Sequence, residues 1–110
     1  MGIEDTGKWA YERQKQFEQA GQISLSVIEA RVLLFLIARA MRFGSSEPHQ
    51  FVNYLLNANI VSKQEYHELT VDQIFNRTEL FVLRPGCQCQ HNVNSLNHCH
   101  ERNLLNIVLK

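Results

Sequence analysis

The residues whose types could perform chemistry are concentrated in one short stretch, residues 87–100. All three cysteines of the chain and three of its five histidines lie there. Thiolate sulfur and imidazole nitrogen are the ligands that zinc prefers, with copper(I) and nickel as lesser options. The sequence therefore predicts a metal site, with zinc as the favoured ion. The six candidate ligands are Cys87, Cys89, His91, His98, Cys99 and His100.

The alternation of these ligands favours an extended chain. Side chains two residues apart lie on one face of a strand, whereas in a helix they point about 200° apart. A hairpin that turns through residues 92–97 would place His91 opposite His98 and Cys89 opposite His100. Opposing Cβ atoms would then lie about 5 Å apart, so that four side chains could share one ion.

A second geometry competes with the hairpin. Asn94 or Ser95 could cap a helix that runs to the end of the sequence. Cys99 and one histidine from this helix would then face Cys87 and Cys89, with His91 as an optional further ligand. Both geometries leave four or more protein ligands around the ion, which is typical of a structural zinc site. The alternative without metal is a polar surface loop enriched in histidine, cysteine and asparagine.

Capping sequences and apolar periodicity predict four helices before this cluster. The central one opens with a capping box, Ser26 and Glu29, and continues to about Phe43, where Gly44 ends it. Residues 32–38 are all apolar, which predicts a helix buried on nearly all sides. The other three helices are expected at residues 7–20, 47–58 and 63–75.

Local signals set the ends of these other helices. Asp5 or Thr6 is the expected cap of the first, and Gly21 its stop. Asn59 is expected to end the third in a left-handed conformation, and Ser62 to open the fourth. Two strands are expected after them, at residues 79–83 and 103–110.

The predicted fold is therefore mainly α, in the α+β class. A four-helix body at residues 1–77 would carry a small two-stranded hairpin or metal knuckle at residues 78–110. With 110 residues, the chain is long enough for one domain.

Three arginines of the central helix are candidate binding residues. Arg31 and Arg42 lie three turns apart on one line of the helix, and Arg39 lies about 80° from that line. The simplest interpretation is a solvated strip with apolar stems. The functional interpretation is a small basic ridge for an acidic partner or for a phosphate backbone.

Composition narrows the classes of function. The formal net charge is zero, so the chain has no global attraction to nucleic acid or anionic lipid. Charged residues interrupt the longest apolar run, which argues against a membrane span. Three cysteines cannot all pair and the first residues are polar, so a reducing compartment, the cytoplasm, is expected.

These observations favour a small intracellular regulatory or adaptor protein that is stabilised by zinc and binds another protein. One alternative is a nucleic-acid-binding zinc knuckle, and another is a metal sensor or metal-dependent enzyme. No catalytic residue is assigned, because the only carboxylate close to the cluster is Glu101 and no oxyanion site is visible in the sequence. A homodimer through the apolar helices stays open.

Overall fold

The computed structural model describes residues 3–44, 49–83 and 105–110, with side chains described from Thr6 onward. These residues form five α-helices and two short β-strands. The predicted mainly helical fold with a small β component is confirmed for them. In chain order the elements are α1 Ile3–Ala20, β1 Ile23–Leu25, α2 Val27–Phe43, α3 His49–Asn57, α4 Lys63–Glu68, α5 Val71–Val82 and β2 Ile107–Leu109.

Helix α2 lies at the centre, and its ends are those that the sequence predicts. The Glu29 backbone N–H donates to Ser26 Oγ at 3.1 Å, and the Ser26 backbone N–H donates to Glu29 Oε1 at 3.0 Å. This reciprocal pair satisfies two amide donors that a helix start would otherwise leave open. Gly44 has φ 73° and donates its N–H to the Ala40 carbonyl, which ends the helix.

The expectation that α2 is buried on nearly all sides is wrong. Its inner side is buried in the core, where it packs extensively against α5. Hydrophobic side chains on its other side are exposed, including Ile28, Val32, Phe35 and Phe43. An unbroken apolar run places such residues all around a helix, but the neighbouring elements that the structure describes cover only one side of it.

Helix α1 begins earlier than predicted and ends where predicted. It starts at Ile3 rather than at residue 7, so neither Asp5 nor Thr6 is its cap. Gly21 has φ 71° and donates its N–H to the Phe17 carbonyl, closing the last turn. Half-buried Trp9 packs against the core, beside Ala10, a buried residue of this helix.

The predicted fourth helix is two helices. Ser62 caps α4, because Ser62 Oγ accepts the Glu65 N–H at 3.2 Å. Thr70 then opens α5 with a second reciprocal box: its hydroxyl accepts the Gln73 N–H at 3.2 Å, and its N–H donates to Gln73 Oε1 at 2.8 Å. A Thr-x-x-Gln box inside an apolar pattern is a start signal that the sequence interpretation missed.

The strand predicted at residues 79–83 is wrong, because these residues continue α5, which ends at Val82. A short apolar run fits a strand or a buried helix equally well. Here the run follows buried Ile74 and Thr78 at helical spacing, and Val82 is buried in the same series. The helical body therefore extends beyond residue 77.

The expected pairing of the last strand with residues 79–83 is also wrong. Strand β2 lies inside the predicted range 103–110, but it pairs with β1. The two strands are parallel, with Ile23 opposite Ile107 and Leu25 opposite Leu109, so the described sheet is not a hairpin. Ile23, Leu25 and Ile107 are buried, which attaches β2 to the helical core.

The third helix and its stop agree with the sequence. Helix α3 buries Phe51, Val52 and Leu55, and the Phe51 ring meets the Phe17 ring of α1 edge to face at 5.3 Å. Asn59 has φ 61°, the left-handed conformation predicted for it. The first two residues of the range predicted for this helix, 47 and 48, lie outside the described residues. No helix in the described ranges is long and apolar enough to cross a bilayer.

Candidate functional site: the outer face of the second helix

The six predicted metal ligands lie outside the described residues, which exclude residues 84–104. The hairpin and the knuckle therefore both stay predictions. Within the described ranges, no group of three or more histidine, cysteine, aspartate or glutamate side chains could hold a metal ion. His49 and His67 are exposed on α3 and α4, and His67 packs against the neighbouring Tyr66 ring.

The side of α2 that faces away from the core is a candidate interaction surface. Counted at 100° per residue, eight residues occupy a sector of about 140° along about 22 Å of helix. We call this surface the outer face of α2. Ile28 and Phe43, near its two ends, are 76% and 68% exposed. Its members are Ile28, Arg31, Val32, Phe35, Leu36, Arg39, Arg42 and Phe43.

An open cavity of about 390 Å³ lies on the N-terminal half of this face. Its described lining residues are spaced as a single helical stripe, and four of the five are apolar. Such a cavity can accept hydrophobic side chains of a binding partner. The lining residues are Ile28, Arg31, Val32, Phe35 and Leu36.

Contacts with α5 hold the edge of the outer face in place. Arg31 Nε lies 3.2 Å from Glu79 Oε1, and the Arg31 guanidinium lies 5.7 Å from the centre of the Phe75 ring. The same Phe75 ring meets Phe35 edge to face at 6.0 Å. Arg31 is thereby oriented on two sides, although its side chain remains 54% exposed.

The other two arginines of the face are less constrained. Arg39 is exposed, and the guanidinium of half-buried Arg42 lies 5.4 Å from the Phe43 ring centre. Among the residues that the structure describes, neither Arg39 nor Arg42 lies within salt-bridge distance of a carboxylate. All three arginines predicted as binding candidates thus lie on the outer face.

The only carboxylate of α2 is engaged elsewhere. Glu29 belongs to the capping box with Ser26, and the Ser26 backbone N–H, followed by its hydroxyl, holds the pKa of Glu29 below its ordinary value. Desolvation opposes these hydrogen bonds by raising the pKa, and the positive charges of Lys110 and Arg13 add weaker lowering effects. The outer face therefore consists of apolar and cationic side chains without an acidic residue.

Sequence reasoning found the three arginines of this surface but missed its hydrophobic members. The unbroken apolar run predicts burial of residues 32–38 as one block, although the helical count already separates Val32 and Phe35 from inward-facing Leu33 and Leu34. The signal in the sequence is that Val32 and Phe35 fall in the same angular sector of the helix as the three arginines. A hydrophobic residue that shares a helix face with several arginines is a candidate for exposure.

The chain has no counterpart among the proteins with which it was compared: no protein-family model, no curated protein and no solved structure matches it.

Proposed function

We propose that this chain is a small regulatory or adaptor protein that binds another protein through the outer face of α2. The observation that carries the proposal is the exposure of large hydrophobic side chains along this face, with Ile28 and Phe43 as the most exposed. Contiguous exposed apolar patches with polar rims are typical of interaction sites. Here Arg31 and Arg42 border one edge of the apolar surface, and Arg39 lies within it.

The energetics favour a partner over solvent at this face. Covering a hydrophobic side chain that is largely exposed gains roughly 1 kcal/mol or more. Ile28 and Phe43 offer this gain within one helix side, and Phe35, which is 40% exposed, offers a smaller one. The Phe35 ring is already fixed against Phe75, so little conformational entropy is lost when a partner covers it.

We propose further that the cysteines and histidines of residues 87–100 hold a structural zinc ion. The support is the density of ligand types in the sequence, together with the described residues on either side of this segment. Val82 of α5 and Leu105 before β2 are both buried in the core. An ion bound by residues between Val82 and Leu105 would constrain this segment. It would thereby reduce the conformational entropy lost when β2 pairs with β1.

Position-specific photo-crosslinking in cells that naturally contain the protein tests the proposed surface. A photoreactive phenylalanine analogue replaces Val32 on the outer face or, as the control, exposed Asn53 on α3. We expect a discrete crosslinked protein from position 32 and not from position 53. Adding Ile28→Glu should suppress it, because a charged side chain would then lie in the apolar contact.

Identification of the crosslinked protein completes this test. The two purified proteins should bind each other, and Ile28→Glu should weaken their affinity at least tenfold while the circular dichroism spectrum stays unchanged. Equal crosslinking from positions 32 and 53, or none from either, would contradict the proposed function.

A further inference from the structure

We infer that the element of the partner that docks on the outer face of α2 is an acidic amphipathic helix. This inference depends on the proposed function, since it names the class of partner for the same surface. Three properties of the face carry it: its charge, its shape and its unsuitability for a second copy of the chain.

Charge is the first property. Arg31, Arg39 and Arg42 lie on the face, and α2 places no carboxylate among them. Arginine pairs with carboxylates through two parallel hydrogen bonds, which gives geometric specificity. Because Glu79 and Phe75 hold Arg31 in a defined position, this side chain loses little freedom on binding. A partner with glutamate or aspartate beside its apolar stripe complements this face.

Shape is the second property. The cavity follows a straight stripe of α2 at spacings of three and four residues, which is the arrangement that a second helix meets with its own apolar stripe. The face is about 22 Å long, the length of about four helical turns. Ile28 and Phe35 at the cavity can pack around an inserted side chain of the partner. A bilayer surface has no such projecting side chain, so the cavity favours a peptide over a membrane.

Self-association is disfavoured by the same charges. In a two-fold symmetric dimer each copy contributes the same patch, so the arginines of the two copies would share one partly desolvated interface. Like charges across an interface oppose binding. A heterologous partner of opposite charge avoids this repulsion and gains from Arg39 and Arg42, which have no ion-pair partner among the described residues.

A set of three synthetic helices tests the inference. The peptides have the same 16 or so residues of apolar pattern, about four turns, and carry glutamate, glutamine or lysine at the flanking positions. Titration calorimetry with the full chain measures each affinity. We expect the glutamate peptide to bind about tenfold more tightly than the glutamine peptide, from a few exposed ion pairs. This preference should shrink as salt rises from about 0.05 to about 0.5 M.

Two variants separate the parts of the interaction. Arg39→Gln with Arg42→Gln should remove most of the preference for glutamate while leaving the affinity for the glutamine peptide unchanged. Val32→Ser should weaken both peptides, because it removes an apolar contact common to both. The charge-matched control is Lys15→Gln with Lys63→Gln, which removes two exposed cations from α1 and α4 and should change neither affinity.

Several results would overturn the inference. These are equal affinity for the three peptides, a preference for the lysine peptide, or a preference for glutamate that survives Arg39→Gln with Arg42→Gln. Binding to vesicles with one-quarter anionic lipid but to none of the peptides would assign the face to a membrane instead. Crosslinking from position 32 together with any of these results would leave the proposed function intact and refute only the acidic helix.

Discussion

Arg31 of α2 and Glu79 of α5 form an ion pair, with Arg31 Nε 3.2 Å from Glu79 Oε1, at the boundary between the outer face and the core. The Glu79 side chain is only 10% exposed, whereas that of Arg31 is 54% exposed. The pair thus connects a buried carboxylate to a surface cation. It fixes both the packing of α5 and the position of one candidate binding residue.

The ion pair predicts measurable coupling between the two helices. In a double-mutant cycle of Arg31→Met and Glu79→Gln, we expect a coupling free energy of about 0.5–1 kcal/mol, kept modest because solvent screens the exposed arginine. Urea unfolding of the four proteins measures it. Additive effects of the two substitutions would show that the pair contributes nothing to stability.

The lowered pKa of Glu29 predicts a pH dependence of stability. Because its carboxylate is favoured in the folded chain, its contribution is complete above the ordinary glutamate pKa, about 4.3. This contribution is lost as the pH falls through the lower pKa of the folded state. Glu29→Gln keeps an amide oxygen for the Ser26 N–H but has no charge. Wild type should therefore exceed Glu29→Gln in free energy of unfolding at pH 7, and the difference should shrink below about pH 4.

Urea unfolding across this pH range makes the comparison. Ser26→Ala, which removes the hydroxyl that also lowers the Glu29 pKa, should show a smaller loss of stability in acid than wild type does. A constant difference between wild type and Glu29→Gln at all pH values would contradict the role assigned to the Glu29 charge.

The left-handed Asn59 makes a prediction about the α3–α4 joint. At φ 61°, an alanine would be strained, because its Cβ crowds the backbone and it lacks the short polar side chain by which asparagine compensates. Glycine has no Cβ and is not strained there. Asn59→Ala should lower the free energy of unfolding by about 1 kcal/mol, and Asn59→Gly should leave it nearly unchanged. Thermal unfolding checks both, and equal stability of the two variants would argue against this backbone conformation.

Asn106 is a second left-handed asparagine, with φ 51°, but its side chain has an additional function. Its amide Nδ2 donates to the Gly21 carbonyl at 2.8 Å, joining the residue before β2 to the end of α1. Asn106→Gly should therefore cost about 1 kcal/mol for the lost hydrogen bond, unlike Asn59→Gly. Hydrogen exchange of the β1 amides should accelerate in Asn106→Gly only.

The proposed zinc site predicts a metal content and a stability effect. Protein purified without a histidine tag should contain one equivalent of zinc by elemental analysis. Cys89→Ser with His98→Ala should remove it and lower the melting temperature, since metal binding contributes folding free energy. His49→Ala, outside the cluster, is the control and should retain the zinc. A wild-type protein without metal, or with a disulfide between these cysteines, would refute the site.

The parts of the fold that the sequence predicted are those with strong local signals. Four signals mark helix ends by chemistry that depends on a few neighbouring residues, and all four act as predicted. They are the capping box of Ser26 and Glu29, and the stops Gly21, Gly44 and Asn59. Local signals cannot report how distant segments pair. The parallel match of Ile23 with Ile107 depends on tertiary packing, and no local pattern in the sequence specifies it.

The candidate surface shows the same limit. The angular position of Arg31, Arg39 and Arg42 on α2 follows from helical geometry alone, so the sequence could place them on one face. Whether Val32 and Phe35 on that face are covered depends on where α5 and the sheet pack. The apolar run predicts a helix buried on nearly all sides, with the arginines as a solvated strip. The exposure of Val32 and Phe35 makes this strip part of a candidate interaction surface.

Hydroxyl-radical footprinting tests most directly whether the outer face of α2 binds another protein. The oxidation of each side chain is compared between the purified chain and the same chain inside the cells that produce it. Ile28, Phe35 and Phe43 should be oxidised in the purified protein and protected in cells, whereas exposed Tyr11 of α1 should react equally in both. An identical oxidation pattern in the two states would contradict the account.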